Sequence, residues 1–302
     1  MKKILVPIDF SEVSGYAVDF AVGLAEKANA KLIFLNSVHY NYFVDFPVGV
    51  GVNVQTLVNE VSDAIKIRMN EFVESLDTSV PIESRISQLH LLEAIKEIQK
   101  DEAIDLTIMG TKGASGWSEL LVGSNTEKIV RWSESPVISV PRATKTSAIK
   151  KILVPMDLKE VQVEFLKRLA KLQRLFNAQM ELVWIKTPHD LENEEMVSEE
   201  IERLIEKYEI SNTSFSIVKT IFPSDGIFEQ AQHIDADMIA MATHARRGIS
   251  HWLNGSITED TINHVTVPVW TFKLEKTNEK IDLFSVDEAK ERSKHQTKTF
   301  AL

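Results

Sequence analysis

A chain of 302 residues with 44% hydrophobic and 26% charged residues has the composition of an ordinary globular protein and is long enough for two domains. It contains no cysteine, which excludes a disulfide framework and a thiolate metal site and is what a reducing, cytoplasmic compartment permits. The net charge of −10 disfavours nonspecific binding to nucleic acid or anionic membranes. The first apolar run ends at Asp9, too early for a signal-peptide core, and no later run reaches membrane-spanning length.

The first half of the chain alternates strand-like and helix-like segments. The predicted strands are 3–8, 31–37, 82–86, 106–109 and 137–140, and the predicted helices are 11–28, 56–76, 91–100 and 124–133. The first, second and fourth strands are almost continuously apolar, as is typical of strands covered on both faces. With right-handed crossovers, this alternation predicts an α/β fold with an open, doubly wound, five-stranded parallel sheet.

The chain repeats this unit. Residues 2–9 (KKILVPID) return as residues 150–157 (KKILVPMD), an offset of 148, whereas Gly123-Ser124 returns as Gly255-Ser256, an offset of 132. The first copy is therefore 16 residues longer, and we place the extra length at 39–55. This aromatic-rich insert is a lid over a ligand, a contact with another domain or subunit, or a flap without a role. We predict domains at 1–146 and 150–274 and a polar tail at 275–302 that is disordered or forms a short surface helix.

A glycine-rich loop follows the fourth predicted strand. It contains Gly110, Lys112 and Gly113, and nine residues after Gly113 come Gly123 and then Ser124 at the start of a predicted helix. Glycines allow the backbone to approach an anion closely, and the free N–H groups of a helix start supply hydrogen-bond donors. This arrangement favours a phosphate site. Lys112 either pairs with the phosphate or is solvated, and Ser124 caps the helix with or without a ligand.

In an open α/β sheet, ligands bind beyond the carboxyl ends of the strands, where the winding reverses direction. If the strand order is 3-2-1-4-5, this point lies between the first and fourth strands. Pro7, Ile8 and Asp9 leave the first strand there, and Met109 and Gly110 leave the fourth. Two separate sequence features thus converge on one position that suits a mononucleotide. The alternative for Asp9 is a cap on the first helix.

These motifs resemble the universal stress protein family in its tandem two-domain form. The resemblance lies in VPID at 6–9, in the spacing of Gly110, Gly113, Gly123 and Ser124, and in SPVISVP at 135–141. It covers about residues 1–274, and the glycine pattern is similar to that of the ATP-binding branch of the family. The resemblance implies that the fifth strands, 136–140 and 268–271, pair the two halves as a pseudo-dimer. A homodimer of whole chains is a further hypothesis.

The resemblance also implies a ligand, which is ATP, ADP or AMP with Mg²⁺ on the phosphate oxygens. Asp9 and the backbone near Val38 would hold the adenine or ribose side. Around the phosphates it places Gly110, Gly113, Gly123, Ser124 and Asn125. The predicted nucleotide-binding set is completed by Pro7, Ile8, Met109, Lys112 and Thr126.

The second half has lost much of the glycine pattern. Ala242 and Ala245 stand where Gly110 and Gly113 are expected, although Gly255 remains. A methyl group would crowd a phosphate, so we predict weak or absent ATP binding there. His244 and His251 flank this loop, but a spacing of seven is no standard ligand pattern, and we predict no metal site.

The sequence favours a regulatory or stress-response protein that binds a nucleotide. The alternatives are a slow ATPase or self-phosphorylating protein, and an interaction scaffold with no nucleotide. Catalysis of phosphoryl transfer requires a base and a second charge, and only Lys112 and Asp9 are present near the loop. We therefore assign no catalytic residue.

Overall fold

The computed structural model describes residues 1–38, 54–111, 124–159, 161–244, 257–258, 261, 265–274, 279–281 and 283. The strands of the first half are β1 (Lys3–Pro7), β2 (Lys31–Ser37), β3 (Ile82–Ser87), β4 (Leu106–Gly110) and β5 (Val137–Val140). Its helices are α1 (Glu12–Ala28), α2 (Val54–Ser75), α3 (Leu91–Asp101) and α4 (Ser124–Trp132).

The second half repeats this order within its described residues. Its strands are β6 (Lys151–Met156), β7 (Gln179–Lys186), β8 (Thr213–Lys219), β9 (Met238–His244) and β10 (Val269–Leu274). Its helices are α5 (Val163–Phe176), α6 (Glu194–Lys207) and α7 (Pro223–His233).

All ten strands form one sheet, in the order β3-β2-β1-β4-β5-β10-β9-β6-β7-β8. Each half has the predicted 3-2-1-4-5 order with parallel neighbours, and the two halves meet where β5 and β10 pair antiparallel. Ile138 lies opposite Trp270 in this pair. The predicted fold class, including the pairing of the halves through their fifth strands, is confirmed.

The predicted element bounds agree closely with the observed ones. β2 and β5 coincide with their predicted ranges, whereas β1 ends one residue early and β4 continues to Gly110. Helix α1 begins at Glu12 because Ser11 is its cap: the Ser11 hydroxyl accepts a hydrogen bond from the Ser14 N–H at 3.2 Å. The alternative that Asp9 caps this helix is therefore wrong.

Each face of the sheet buries its own apolar core. Along β1, Ile4 and Val6 lie in the core beneath α1, α2, α5 and α6, and Leu5 lies in the core beneath α3, α4 and α7. This alternation follows from the two-residue period of a strand. Both cores run through both halves, so the halves share their packing as well as their sheet.

The extra length of the first half is divided between two places. Helix α2 has 22 residues, whereas its counterpart α6 has 14, so about half of the 16 extra residues lengthen this helix. Placing all of them at 39–55 was therefore wrong. The amphipathic pattern of α2 continues without a break, which hid the insertion inside a regular helix. Residues 39–53 lie outside the described residues.

The C-terminal tail differs from its prediction where it is described. Residues 279–281 are neither disordered nor helical, because Lys280 forms an antiparallel bridge with Gln162. Leu283 is 7% exposed and belongs to a hydrophobic core. The charged composition of 275–302 hid this contact, since the pairing uses backbone groups and the anchor is a single leucine.

Candidate functional site

The winding of the first half reverses between β1 and β4. These strands are parallel neighbours, with Ile4 opposite Leu106 and Leu5 opposite Thr107, while the other neighbour of β1 is β2. The chain therefore leaves β1 and β4 at the same edge and crosses away from the gap between them in opposite directions. Pro7, Ile8 and Asp9 lie at one side of this crevice, and Met109 and Gly110 lie at the other. The crevice is the ligand position expected of a doubly wound sheet.

Hydrogen bonds fix the chain at the β1 and β2 side of the crevice. The Ile8 N–H donates to the Leu35 carbonyl at 2.8 Å, and the Asn36 side chain donates to the Ile8 carbonyl at 2.7 Å. The Val38 N–H donates to the Ser87 carbonyl at 2.8 Å, so this group is already used. Asn36 was not predicted as a site residue. The signal in the sequence was an amide directly after the apolar run 32–35, and in the structure this side chain is buried.

Asp9 closes the turn that leads from β1 into α1. The Ser11 N–H and hydroxyl donate to Asp9 Oδ1 at 2.9 and 2.6 Å, and the residue as a whole is exposed. Partial burial by itself raises the pKa of Asp9, but the hydrogen bonds from Ser11 act in the opposite direction, and the net pKa is below its ordinary value. Asp9 is therefore an ionised hydrogen-bond acceptor at neutral pH.

The turn after Asp9 depends on an unusual backbone conformation. Phe10 has φ of 61°, in the left-handed region that non-glycine residues seldom adopt. Two residues of α2 hold its ring, since the Arg68 guanidinium lies 4.2 Å from the ring centroid and Phe72 packs edge-on at 6.0 Å. The sequence gives no sign of this contact, because the partners lie about sixty residues apart.

Gly110 has a packing role that sequence reasoning did not foresee. A Cβ at this position would lie 2.3 Å from the backbone oxygen of Val13 and 2.8 Å from the Val13 Cγ1. The absent side chain therefore allows the first turn of α1 to lie against the end of β4. This approach sets the separation between the start of α1 and the end of β4, and it makes Gly110 necessary even before any ligand is considered.

The structure describes only some of the residues in and after the glycine loop. Thr111 is 2% exposed, and its N–H donates to the Val140 carbonyl at 3.1 Å, which holds the chain to β5 as it leaves β4. Helix α4 begins at Ser124, and Thr126 in its first turn is 3% exposed. Lys112, Gly113 and Gly123 lie outside the described residues, as do the side chains of Ser124 and Asn125.

The equivalent position in the second half is different. Asp157 keeps the turn, because its Oδ1 accepts a hydrogen bond from the Lys159 N–H at 3.0 Å. Lys159 replaces Ser11, and its ammonium lies 3.3 Å from Asp190 and 3.6 Å from Glu192. Burial by itself lowers the pKa of Lys159. Asp190 and Glu192 together raise it by more than burial lowers it, so the net pKa is above its ordinary value. These carboxylates add negative charge where a nucleotide would need the opposite.

The cavity at this second position is small. It has a volume of about 30 Å³, room for roughly one water molecule, and its lining includes Met156, Val161, Phe165 and Ala242. Pockets for small molecules are typically roughly 300 to 1,000 Å³. The cavity between the described residues is therefore about a tenth of the smallest typical pocket.

The comparison with family models agrees with the repeated architecture. The model of the universal stress protein family matches the chain twice, at residues 1–141 and 148–273. The chain belongs to the universal stress protein family. Both copies of the repeat are thus family members, including the second copy with its altered loop.

Individual universal stress proteins resemble one copy or the whole chain. A universal stress protein of Methanocaldococcus jannaschii is 27% identical over 145 residues, which is 48% of this chain and 84% of that protein. One from Synechocystis is 22% identical over 298 residues and covers 90% of this chain and all of its own length. The crystal structure of a universal stress protein from Archaeoglobus fulgidus superposes with a TM-score of 0.69 at 18% identity, covering 90% of this chain and 98% of its own. This last likeness supports the fold.

Two features are absent from the described part of this universal stress protein. None of its helices combines the length and the apolar character that crossing a bilayer requires. Within the same residues, no three histidine, aspartate or glutamate side chains are grouped so that they could hold a metal ion.

Proposed function

We propose that this chain binds one adenine nucleotide, ATP with Mg²⁺, in the crevice of its first half and acts as a regulatory protein. The observation on which this rests is that Asp9 and Gly110 lie at the same edge of the sheet, at the winding reversal, with the start of α4 following the glycine loop. We propose further that the two copies are domains at 1–146 and 150–274, and that only the first is a nucleotide site.

The proposed roles follow from the chemistry of each group. Asp9 accepts a hydrogen bond from the adenine or ribose side beside Val38, because its carboxylate is ionised and exposed. Gly110, Gly113 and Gly123 bring bare backbone to the phosphates, and Ser124 and Asn125 add donors at the positive end of α4. Mg²⁺ would be held by phosphate oxygens and would neutralise part of their charge.

Binding is favoured over hydrolysis by the state of Asp9. A general base works best when its pKa lies near the operating pH, whereas the pKa of Asp9 is below its ordinary value. Its Oδ1 also accepts both hydrogen bonds from Ser11, and these hold the carboxylate in the turn. A side chain in this state is suited to recognising a ligand and is poorly suited to activating water.

Replacing Gly123 tests the assignment of the phosphate loop. We expect Gly123→Val to weaken ATP binding by at least about a hundredfold, because a branched side chain occupies the space of a phosphate and blocks close approach of the backbone. Gly255→Val is the matched control, since Gly255 has the same position in the second half. Isothermal titration with ATP and Mg²⁺ should give one site per chain in the wild type and in this control. Two sites per chain would contradict the proposal that only the first half binds a nucleotide, and equal binding by both variants would show that the assigned phosphate loop is wrong.

Replacing Asp9 tests the recognition of the base or sugar. We expect Asp9→Asn to weaken ATP binding by roughly tenfold, because a charge-assisted hydrogen bond becomes a neutral one while the amide oxygen still accepts from Ser11. Asp157→Asn is the control and should leave the affinity unchanged. The same titration measures both, and equal affinities for the two variants would remove Asp9 from the site.

A further inference from the structure

The first turn of α1 has no counterpart in the second half. In the first half, the Gly15 N–H donates to the Ser11 carbonyl at 3.0 Å and closes this turn. The offset of 148 residues places the equivalent helix start at residue 160, yet α5 begins only at Val163. Residues 161–162, which correspond to Val13 and Ser14 of α1, are not helical.

The alanine at position 242 explains this difference. Ala242 corresponds to Gly110, where a Cβ would lie 2.3 Å from the Val13 backbone oxygen. A helical turn at 161–163 would meet the Ala242 methyl group in the same way, because the strand order of the two halves is the same. The turn therefore cannot form against β9, and its backbone groups need other partners.

The C-terminal tail supplies these partners. The Val163 N–H donates to the Glu279 carbonyl at 3.1 Å, and the Ile281 N–H donates to the Val161 carbonyl at 2.9 Å. Gln162 lies opposite Lys280 in this antiparallel bridge and is 1% exposed. The tail thus forms the hydrogen bonds that the missing helical turn would have formed within the chain.

An apolar side chain anchors the tail in the same place. Leu283 is 7% exposed and lies in the core cluster that contains Val161 and Phe165, and Ile281 packs against this cluster. The cavity that Val161 and Phe165 line is also lined by Leu274, the last residue of β10, which ends at the same edge of the sheet as β9. The tail therefore begins at the edge where it docks.

We propose that residues 279–281, anchored by Leu283, dock in cis on residues 161–163 through this antiparallel bridge and close the ligand position of the second half. The second copy is thereby a docking site for the chain's own tail. This proposal is independent of nucleotide binding in the first half, because its readout is the protection of backbone amides. The two proposals can fail separately.

Hydrogen exchange in the full chain tests the docking. We expect Ile281→Pro, which removes the N–H that donates to Val161, and Leu283→Asp, which charges the anchor, each to raise the exchange rate of the Val163 amide by roughly tenfold or more. Glu279→Gln is the matched control, since it alters an exposed tail side chain and keeps the backbone carbonyl. The Gly15 amide in the first half is the internal reference and should not change in any variant.

Three results would overturn the proposal. Unchanged exchange at Val163 in both variants would show that the tail does not dock there. A change of the same size in Glu279→Gln would show that the effect is not specific to the bridge. Protection of Val163 that falls when the wild-type protein is diluted would show that a second copy provides the tail in trans.

Discussion

Gly110→Ala is expected to lower the free energy of unfolding by about 3 kcal/mol, a large share of the stability of a typical domain. The added Cβ would lie 2.3 Å from the Val13 oxygen and 2.6 Å from the Val13 carbonyl carbon. Both atoms belong to the backbone of α1, so no side-chain rotation relieves the contact. Either the first turn of α1 moves away from β4 or it unwinds, as the corresponding turn does in the second half.

Gly15→Ala is the matched control for this experiment. Gly15 also lies in the first turns of α1, but outside the adjoining backbone of its own helix no atom lies within 4 Å of the position that its Cβ would take. The alanine should therefore raise the stability by up to about 1 kcal/mol, because glycine is a poor helix former. Urea unfolding followed by circular dichroism gives both values. Equal stabilities for the two variants would contradict the close approach of α1 to Gly110.

The packing role of Gly110 shows how one residue type can satisfy two requirements. In the sequence pattern this glycine indicates bare backbone for a phosphate, whereas in the structure it allows α1 to pack against β4. The two roles are compatible, because both depend on the absence of a side chain at this position. A glycine in such a motif is therefore not evidence of a ligand by itself.

Much of the fold could be predicted from the sequence. The repeat at offsets of 148 and 132 residues established two similar units, and continuous apolar runs located strands such as Lys31–Ser37 and Val137–Val140 to the residue. Right-handed crossovers then reduced the topology to a doubly wound sheet. These predictions succeed because burial on both faces of a parallel strand leaves a clear pattern.

Contacts between distant backbone groups could not be predicted in this way. The bridge between Gln162 and Lys280 uses main-chain atoms, which leave no pattern in side-chain chemistry. The left-handed conformation of Phe10 depends on Arg68 and Phe72 in another helix. Ala242 in the sequence predicts a degenerate second site. The missing helical turn at residues 161–162 could be inferred only from the structure, which shows how closely Val13 approaches Gly110.

The junction between the halves combines a strand pair with a buried aromatic stack. Trp270 on β10 lies opposite Ile138 on β5 and is 3% exposed. Its ring lies 6.1 Å from that of Phe165 on α5 and 6.1 Å from that of Phe272, both in stacked geometry. The tryptophan thus connects the sheet at the junction with the helix that packs beneath it in the second half.

Trp270→Ala is expected to lower the free energy of unfolding by about 4 kcal/mol, because it removes a large buried side chain and two aromatic contacts and leaves a cavity beside β5. Trp132→Ala is the control, since Trp132 is 39% exposed and its ring centroid lies 5.4 Å from the Lys96 ammonium. This substitution should lower the free energy of unfolding by less than about 1 kcal/mol. Denaturant unfolding should be followed by circular dichroism, because each variant lacks a tryptophan and its fluorescence would not be comparable with that of the wild type. A loss for Trp270→Ala no greater than for Trp132→Ala would mean that the junction does not depend on this stack. The expected difference arises because the same residue type is buried at one position and half in solvent at the other.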